Sequence, residues 1–301
     1  MIYMIGLNMS KTGKHFSLTP YLLLLPCMII FFVFVFYPFS KTILHSFALT
    51  NSRGMPVEWV GLENYINLIK SARFLQSLKL TLIFAPMVGF PTFFIAYFLA
   101  ATANEKSKKK GVSRLYETMF SLPMAVASAP AAVIWGTIMR PGKSGILNHI
   151  MGTDIRWLLD SQYALTSVAV VTVWLNIGMS FIFLLTGFRN VPEEIIESAR
   201  IDGAGYFRRL FRIITPIASP QIFFVIFLNI IVSFQAFAQI RLLTQGGPSY
   251  ATNVLVYTIY QSAIRDSRFE TAFAQSMVLF FIILLLTILQ FRVEKRTVHY
   301  Q

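Results

Sequence analysis

A single cysteine, Cys27, stands among 301 residues. One thiol closes no intrachain disulfide, so packing alone has to hold the fold, and a cystine scaffold is excluded. Charge is scarce too: charged residues make up 13% of the chain against 55% hydrophobic, with a mean hydropathy of +0.63. Apolar content alone does not settle the class; the clustering of these residues into recurring runs nearly free of charge excludes disorder and an ordinary soluble domain. The four histidines, His15, His45, His149 and His299, lie in four separate terminal or loop stretches, with no metal-ligand spacing. HExxH and G-x-S-x-G are both missing, which removes two familiar catalytic arrangements. The long apolar runs hold almost none of the ionisable groups that an intramembrane enzyme or a proton-coupled carrier uses. The same argument is weaker against a sodium-coupled carrier, because carbonyl oxygens can build a sodium site.

Hydrophobic length is what the chain does have. Runs near 20 residues recur, each able to cross a hydrocarbon core about 30 Å thick. In lipid the backbone must satisfy its own hydrogen bonds, so such runs are helices. The alternation of a membrane barrel is absent. The expected fold is an all-α polytopic membrane protein with six spans, at about 19–39, 78–102, 119–138, 164–188, 217–240 and 271–292. A segment 1–18 precedes the spans, a tail 293–301 follows them, and a loop 189–216 joins the fourth to the fifth. The first run follows Lys11 and Lys14 as a secretory signal would, but it continues to Phe39 with no small-x-small cleavage site after it. It reads as an uncleaved helix, with Cys27 lipid-facing or packed, and inert.

Lys and Arg number 26 against 13 Asp and Glu, a formal charge of +13. A basic balance can signal nucleic acid, yet membrane topology explains it better. With the N-terminus inside, the inner segments carry 15 Lys and Arg and the outer segments 10. The sharp cluster Lys106, Lys108, Lys109 and Lys110 falls inside, so both termini are expected in the cytoplasm. That cluster reads as a topogenic loop against anionic headgroups; the partner is the lipid bilayer and no nucleic acid. The outer segments 40–77, 139–163 and 241–270 are longer than reversal needs, and 40–77 should include a surface amphipathic helix. Arg140-Pro141-Gly142-Lys143-Ser144 imitates the end of a P-loop, but Thr137 stands where the motif needs glycine and no strand precedes it. It is a turn, and the chain has no nucleotide site of its own.

The loop 189–216 is patterned as well as long. Asn190 is a candidate N-cap with Pro192 in the first turn, and Glu193 and Glu194 sit where a helix dipole favours carboxylates. Gly203 can end that helix in the left-handed conformation, and Gly205 adds a turn. A second helix then starts near Tyr206, with Phe207, Leu210, Phe211 and Ile214 on one side and Arg208, Arg209 and Arg212 reaching for water. Pro216 and Pro220 break or tilt the entry to the fifth span. On these residues alone, a docking element for another protein and an ordinary interfacial loop are equally good readings.

Glu197-Ser198-Ala199-Arg200-Ile201-Asp202-Gly203, followed by Ile213-Ile214-Thr215-Pro216, resembles the E-A-A-x3-G-x9-I-x-L-P loop of ABC importer permeases, with Ser198 in place of alanine and Thr215 in place of leucine. Leu24-Leu25-Pro26 with Tyr37-Pro38, Val60-Gly61-Leu62-Glu63-Asn64-Tyr65, Gly145-Ile146-Leu147-Asn148 and Gly246-Gly247-Pro248 are similar to the carbohydrate-uptake branch, the maltose and glycerol-3-phosphate permeases. The resemblance implies a type I importer permease arrangement. It implies a second homologous permease, a cytoplasmic ATP-binding-cassette ATPase dimer and an extracytoplasmic solute-binding protein as partners. No cofactor would belong to this chain; ATP and Mg would sit on the ATPase. Glu193, Glu197, Ala199, Asp202, Gly203, Ala204 and Gly205 would form the coupling element, with Arg208 and Arg209 pairing to the ATPase or holding the loop at the headgroups.

A solute path needs polar groups facing the bundle interior. Thr172, Asn176 and Ser180 follow at i, i+4 and i+8 on the fourth span with Trp174 nearby; Asn229, Ser233, Gln235 and Gln239 lie on the fifth and Gln275 on the sixth. Amides and hydroxyls beside aromatic rings suit sugars and polyols. They also glue membrane helices together, which for any one residue is the commoner role. No cation inside a span offers a phosphate clamp. A self-sufficient secondary carrier and a scaffold or receptor without transport remain the alternatives.

Overall fold

The computed structural model describes residues 19–105 and 110–297. The expectations on Lys11, Lys14, Lys106, Lys108, Lys109 and His299 lie outside the described residues. Helices α1 (Thr19–Phe31) and α2 (Tyr37–His45) join through a π-helical turn, Phe32–Phe36. Strands β1 (Ala48–Thr50) and β2 (Pro56–Trp59) pair antiparallel, Ala48 opposite Trp59. Helices α3 (Glu63–Lys70), α4 (Ala72–Glu105), α5 (Lys110–Ala125), α6 (Ser128–Ile138), α7 (Ile146–Met151) and α8 (Ala164–Arg189) follow. Then come α9 (Glu193–Ile201), α10 (Tyr206–Arg209), a π-helical turn Leu210–Ile214, α11 (Thr215–Ile217) and α12 (Ser219–Phe234). The chain ends in α13 (Ala238–Leu243), α14 (Leu255–Tyr260), a π-helical turn Gln261–Arg265, and α15 (Phe269–Thr297).

Among the described residues, four helices are long and apolar enough to cross a membrane: Leu22–His45, Ala72–Glu105, Ala164–Arg189 and Phe269–Lys295. The third and fifth expected spans are not straight helices. Leu115–Ala125 meets Ser128–Ile138 at 98°, and Tyr206–Ile217 meets Ser219–Phe234 at 78°. Proline explains both. Pro130 has no N–H for the carbonyl of Val126, and Pro220 none for that of Pro216, so each helix stops and restarts with a proline in its first turn. The fifth span also ends at Phe234, leaving Gln235 as its cap and Gln239 on the separate α13. The all-helical expectation is amended by the small β1–β2 hairpin, closed where Asn51 Oδ1 accepts from the amides of Arg53 and Met55, 3.0 Å each. Segment 40–77 does supply its surface helix, α3, anchored by buried Asn64 and Leu68.

The core forms where small residues let helices approach. Ala96, Ala100 and Ala103 repeat along one face of α4 and bury against Phe181, Leu184 and Phe188 of α8. Leu210 and Ile214 join this cluster from the π-helical turn. At the opposite end Phe84 and Val88 of α4 pack with Val168 of α8, Ile240 of α13 and Tyr257 of α14. The first helix stands apart: every side chain from Leu22 to Pro38 is exposed, and Phe39–Phe280 and His45–Phe273 ring contacts of 5.0 and 5.4 Å join its later part to α15.

Candidate functional site

The loop between α8 and α12 is a rigid projection. Helix α9 begins one residue beyond Pro192, so Pro192 is its N-cap and Asn190 instead closes α8, correcting the expected start. Its end is a Schellman motif: the Ala204 amide donates to Ala199 O at 2.9 Å and the Gly203 amide to Arg200 O at 3.0 Å. Gly203 sits at φ +75°, with nothing within 4 Å of where a Cβ would stand. Glycine is needed there for conformation and not for space.

The underside is locked to the bundle. Arg209, 9% exposed, donates from Nη1 to Ala204 O at 2.7 Å and from Nη2 to Glu105 Oε1 at 3.2 Å. Arg200 Nη2 reaches the same Glu105 oxygen at 3.3 Å. The last residue of α4 thus clasps both arms of the loop. Nearby, Arg189 at the end of α8 pairs with Glu117 of α5 at 2.6 Å. Thr215, where the resembling motif has leucine, bonds the Tyr97 hydroxyl at 2.5 Å and donates to Leu210 O at 2.7 Å, holding the π-helical turn closed. A cavity of about 500 Å³ lies beside the clasp, lined by Asn104, Glu105, Arg189, Glu193, Glu194 and Arg200 among others.

The outward side carries Glu193, Glu197, Asp202, Gly203, Gly205 and Arg208, all exposed; Ala204 is half-buried. Ala199 and Arg209 do not share that face: Ala199 is 8% exposed and turned inward, as is Arg209. Two apolar residues flank the glycine turn in the open instead, Ile201 at 87% exposed and Phe207 at 66%. The sequence reading counts Ile201 and Phe207 among the apolar residues of the loop without choosing them as docking residues, and it does not name Glu105. Glu105 had one signal, as the first charged residue after Lys79.

The polar residues expected along the path divide. Thr172 returns its hydroxyl to Val168 O at 2.8 Å. Ser180 Oγ donates to Asn229 Oδ1 at 2.9 Å, an interhelical tie between α8 and α12, and Ser233 Oγ returns to Asn229 O at 2.6 Å within α12. Asn229 Nδ2 and Gln275 Oε1 are buried with no partner among the described residues. Asn229 lines an apolar cavity of about 400 Å³ with Phe90, Phe93 and Ile226. Trp174, Asn176 and Gln239 are half-buried, and Gln235 is exposed. Trp174 meets Trp135 of α6 edge-on at 5.8 Å, and Asn176 Nδ2 donates to Thr172 O at 2.8 Å. Helices α6 and α13 both pack on α8, so three elements carry the half-open residues.

The sequence matches the family described as "Binding-protein-dependent transport system inner membrane component" over residues 92–299. The chain belongs to this family. It is the transmembrane permease subunit of an ABC importer, a multi-pass component and not an enzyme. It is 36% identical over 296 residues to the sn-glycerol-3-phosphate transport system permease protein UgpA of Yersinia pestis, covering 97% of this chain and 99% of that one. The UgpA of Salmonella typhimurium is 34% identical over 286 residues, covering 94% and 96%. Among solved structures, a bacterial ABC transporter involved in import of the acidic polysaccharide alginate superposes with a TM-score of 0.82 at 21% identity, covering 92% of this chain and 95% of that chain. That likeness establishes the type I permease fold.

Proposed function

We propose that this subunit forms half of the translocation path for a sugar, oligosaccharide or glycerol-3-phosphate-like polyol. A second homologous permease completes the path. A cytoplasmic ATPase dimer, holding ATP and Mg, grips the α9–Gly203–α10 projection, and a solute-binding protein loads the opposite end. On this reading the four unbroken helices and the two bent pairs make six spans, with both termini in the cytoplasm. The observation that carries it is the projection itself: a Schellman-closed helix end, clasped from beneath, that leaves Ile201 and Phe207 uncovered. Large apolar side chains left this open are the anchors of an interface when a partner supplies a pocket. A permease solved with an alginate pentasaccharide-bound periplasmic protein, TM-score 0.80, supports the binding-protein partner, and the names of the sequence relatives support the polyol-phosphate option.

Gly203→Asp and Glu197→Lys test the assignment. Both variants should insert in the membrane normally, lose co-purification of the ATPase and lose ATP-dependent uptake. Normal association and uptake in both would defeat the coupling role.

A further inference from the structure

At the end of the bundle away from Glu105, two short elements face each other across a cavity of about 510 Å³. Helix α13 and its exit contribute Arg241, Leu242 and Gln245; α14 and the π-helical turn after it contribute Tyr257, Tyr260, Gln261, Ile264 and Arg265. No carboxylate lines it. Arg241 lies over the Tyr260 ring at 4.6 Å and the Phe237 ring at 5.8 Å. A guanidinium held face-on by aromatic rings keeps its edge N–H groups for a ligand. Among the described residues neither Arg241 nor Arg265 makes an ion pair. The nearest acid in sequence, Asp266, is turned to Arg73 at 3.4 Å. Gln261 accepts from Arg73 Nη2 at 2.7 Å through its carbonyl oxygen, which leaves the Gln261 amide N–H groups as donors. The inventory is therefore two unpaired guanidinia from two elements, amide donors and a pair of stacked tyrosine rings 5.9 Å apart.

We propose that this cavity is an anion-recognition site at the outer mouth of the path, taking a small polyol by its phosphate monoester. Two guanidinium forks match the several oxygens of a phosphate. The tyrosine rings take the C–H face of the polyol, and the amides take its hydroxyls. The spans need no interior cation if the charge is selected here, before entry. This site rests on the importer reading and names its substrate class.

The test uses the full chain with its co-purifying subunits, in nanodiscs of phosphatidylcholine. Glycerol 3-phosphate, inorganic phosphate and glycerol are titrated calorimetrically into the wild type, the Arg241→Gln/Arg265→Gln double variant, and Arg268→Gln as an off-cavity control. Glycerol 3-phosphate should bind, more weakly as NaCl rises, and glycerol should not. The double variant should lose at least tenfold in affinity, and the control should lose nothing. No binding by the wild type, equal binding of glycerol, or an unchanged double variant overturns the proposal. So does competition by added phosphatidylglycerol that the double variant relieves, which would assign the cavity to a lipid headgroup. A double variant that binds the probe normally but no longer responds to a loaded binding protein would make the cavity a protein-docking surface, and would equally overturn it. Co-purification of the ATPase is scored separately: its absence from the wild type counts against the importer reading, whatever the calorimetry gives.

Discussion

Replacing Glu105 with alanine should loosen the projection without unfolding the bundle. The structure sets the size of the effect. Glu105 is 39% exposed and Arg200 32%, so the 3.3 Å contact between them behaves as a surface pair worth about 0.2–1 kcal/mol. The Arg209 side chain is only 11% exposed, and removing the partner of a buried donor costs about 1–3 kcal/mol. Its second bond, to Ala204 O at 2.7 Å, survives and keeps the loss toward the lower end. The sum is about 2 kcal/mol, roughly a thirtyfold shift toward the undocked loop. Native-state hydrogen exchange reads this directly at the Gly203 and Ala204 amides, which are bonded only while the helix end is closed. Those amides should exchange roughly thirtyfold faster, with the mid-α8 amides unchanged. Glu105→Gln, which keeps an acceptor but loses the charge, should fall between. Unchanged exchange at Gly203 and Ala204 would refute the clasp. An equal acceleration across α8 would show that Glu105 supports the whole bundle and not the loop.

Ile201→Asp should leave thermal stability unchanged, because the side chain is in the open, and Phe207→Asp should lower it only by its ring contacts with Tyr206 and Phe211; both should weaken co-purification of the ATPase at least tenfold, since burying such a side chain is worth about 1.5–3 kcal/mol. Gly203→Ala puts a Cβ on a residue at φ +75° with no neighbour to meet it; it should cost about 1–2 kcal/mol of helix-end closure, with Gly203→Asn milder, both seen as faster Ala204 exchange. Gly187→Ala should act inside the bundle instead. The new Cβ would lie 2.6 Å from Gln221 Cβ, and prising α8 from α12 should cost about 1–3 kcal/mol, read as a lower unfolding temperature in detergent.

How far the sequence could be read depended on the range of each interaction. Unbroken apolar runs identify α4, α8 and α15, because hydrophobic length is a local property. The bends at 126–127 and at Ala218 were harder: Pro216 and Pro220 suggested the second, while Pro130 passed unnoticed inside a run that is apolar throughout. The Gly203 turn was legible because a left-handed helix end requires a residue type. Arg208 and Arg209 were not separable by composition. Adjacent residues point about 100° apart on a helix, so one faces water while the other turns under the loop, and Glu105 decides which. That pairing joins residues 104 positions apart and leaves no periodic trace. The polar set on the spans was ambiguous for a related reason. A serine that ties Asn229 to α8 and a serine that meets solute carry the same letter, and only the 2.9 Å bond from Ser180 tells which role is filled.

Helix α4 is the element in which the two ends of the molecule meet. At one end Glu105 holds the α9–α10 projection; at the other, Thr81 Oγ1 accepts from the Leu255 amide at 2.7 Å and Arg73 bonds Gln261 beside the α13–α14 cavity. Arg73 and Glu105 are on one helix, about 48 Å apart at 1.5 Å per residue. A helix clasped at both ends ties the two contacts to one body, so the loop and the cavity cannot shift independently without breaking a named bond. The exceptions are Pro86 and Pro91, which lie inside α4 between the two ends. Each removes a backbone bond and permits a kink. One side of the kink region borders the apolar cavity where Asn229 Nδ2 has no partner among the described residues. A bend there would change the angle between loop and cavity with both clasps still made.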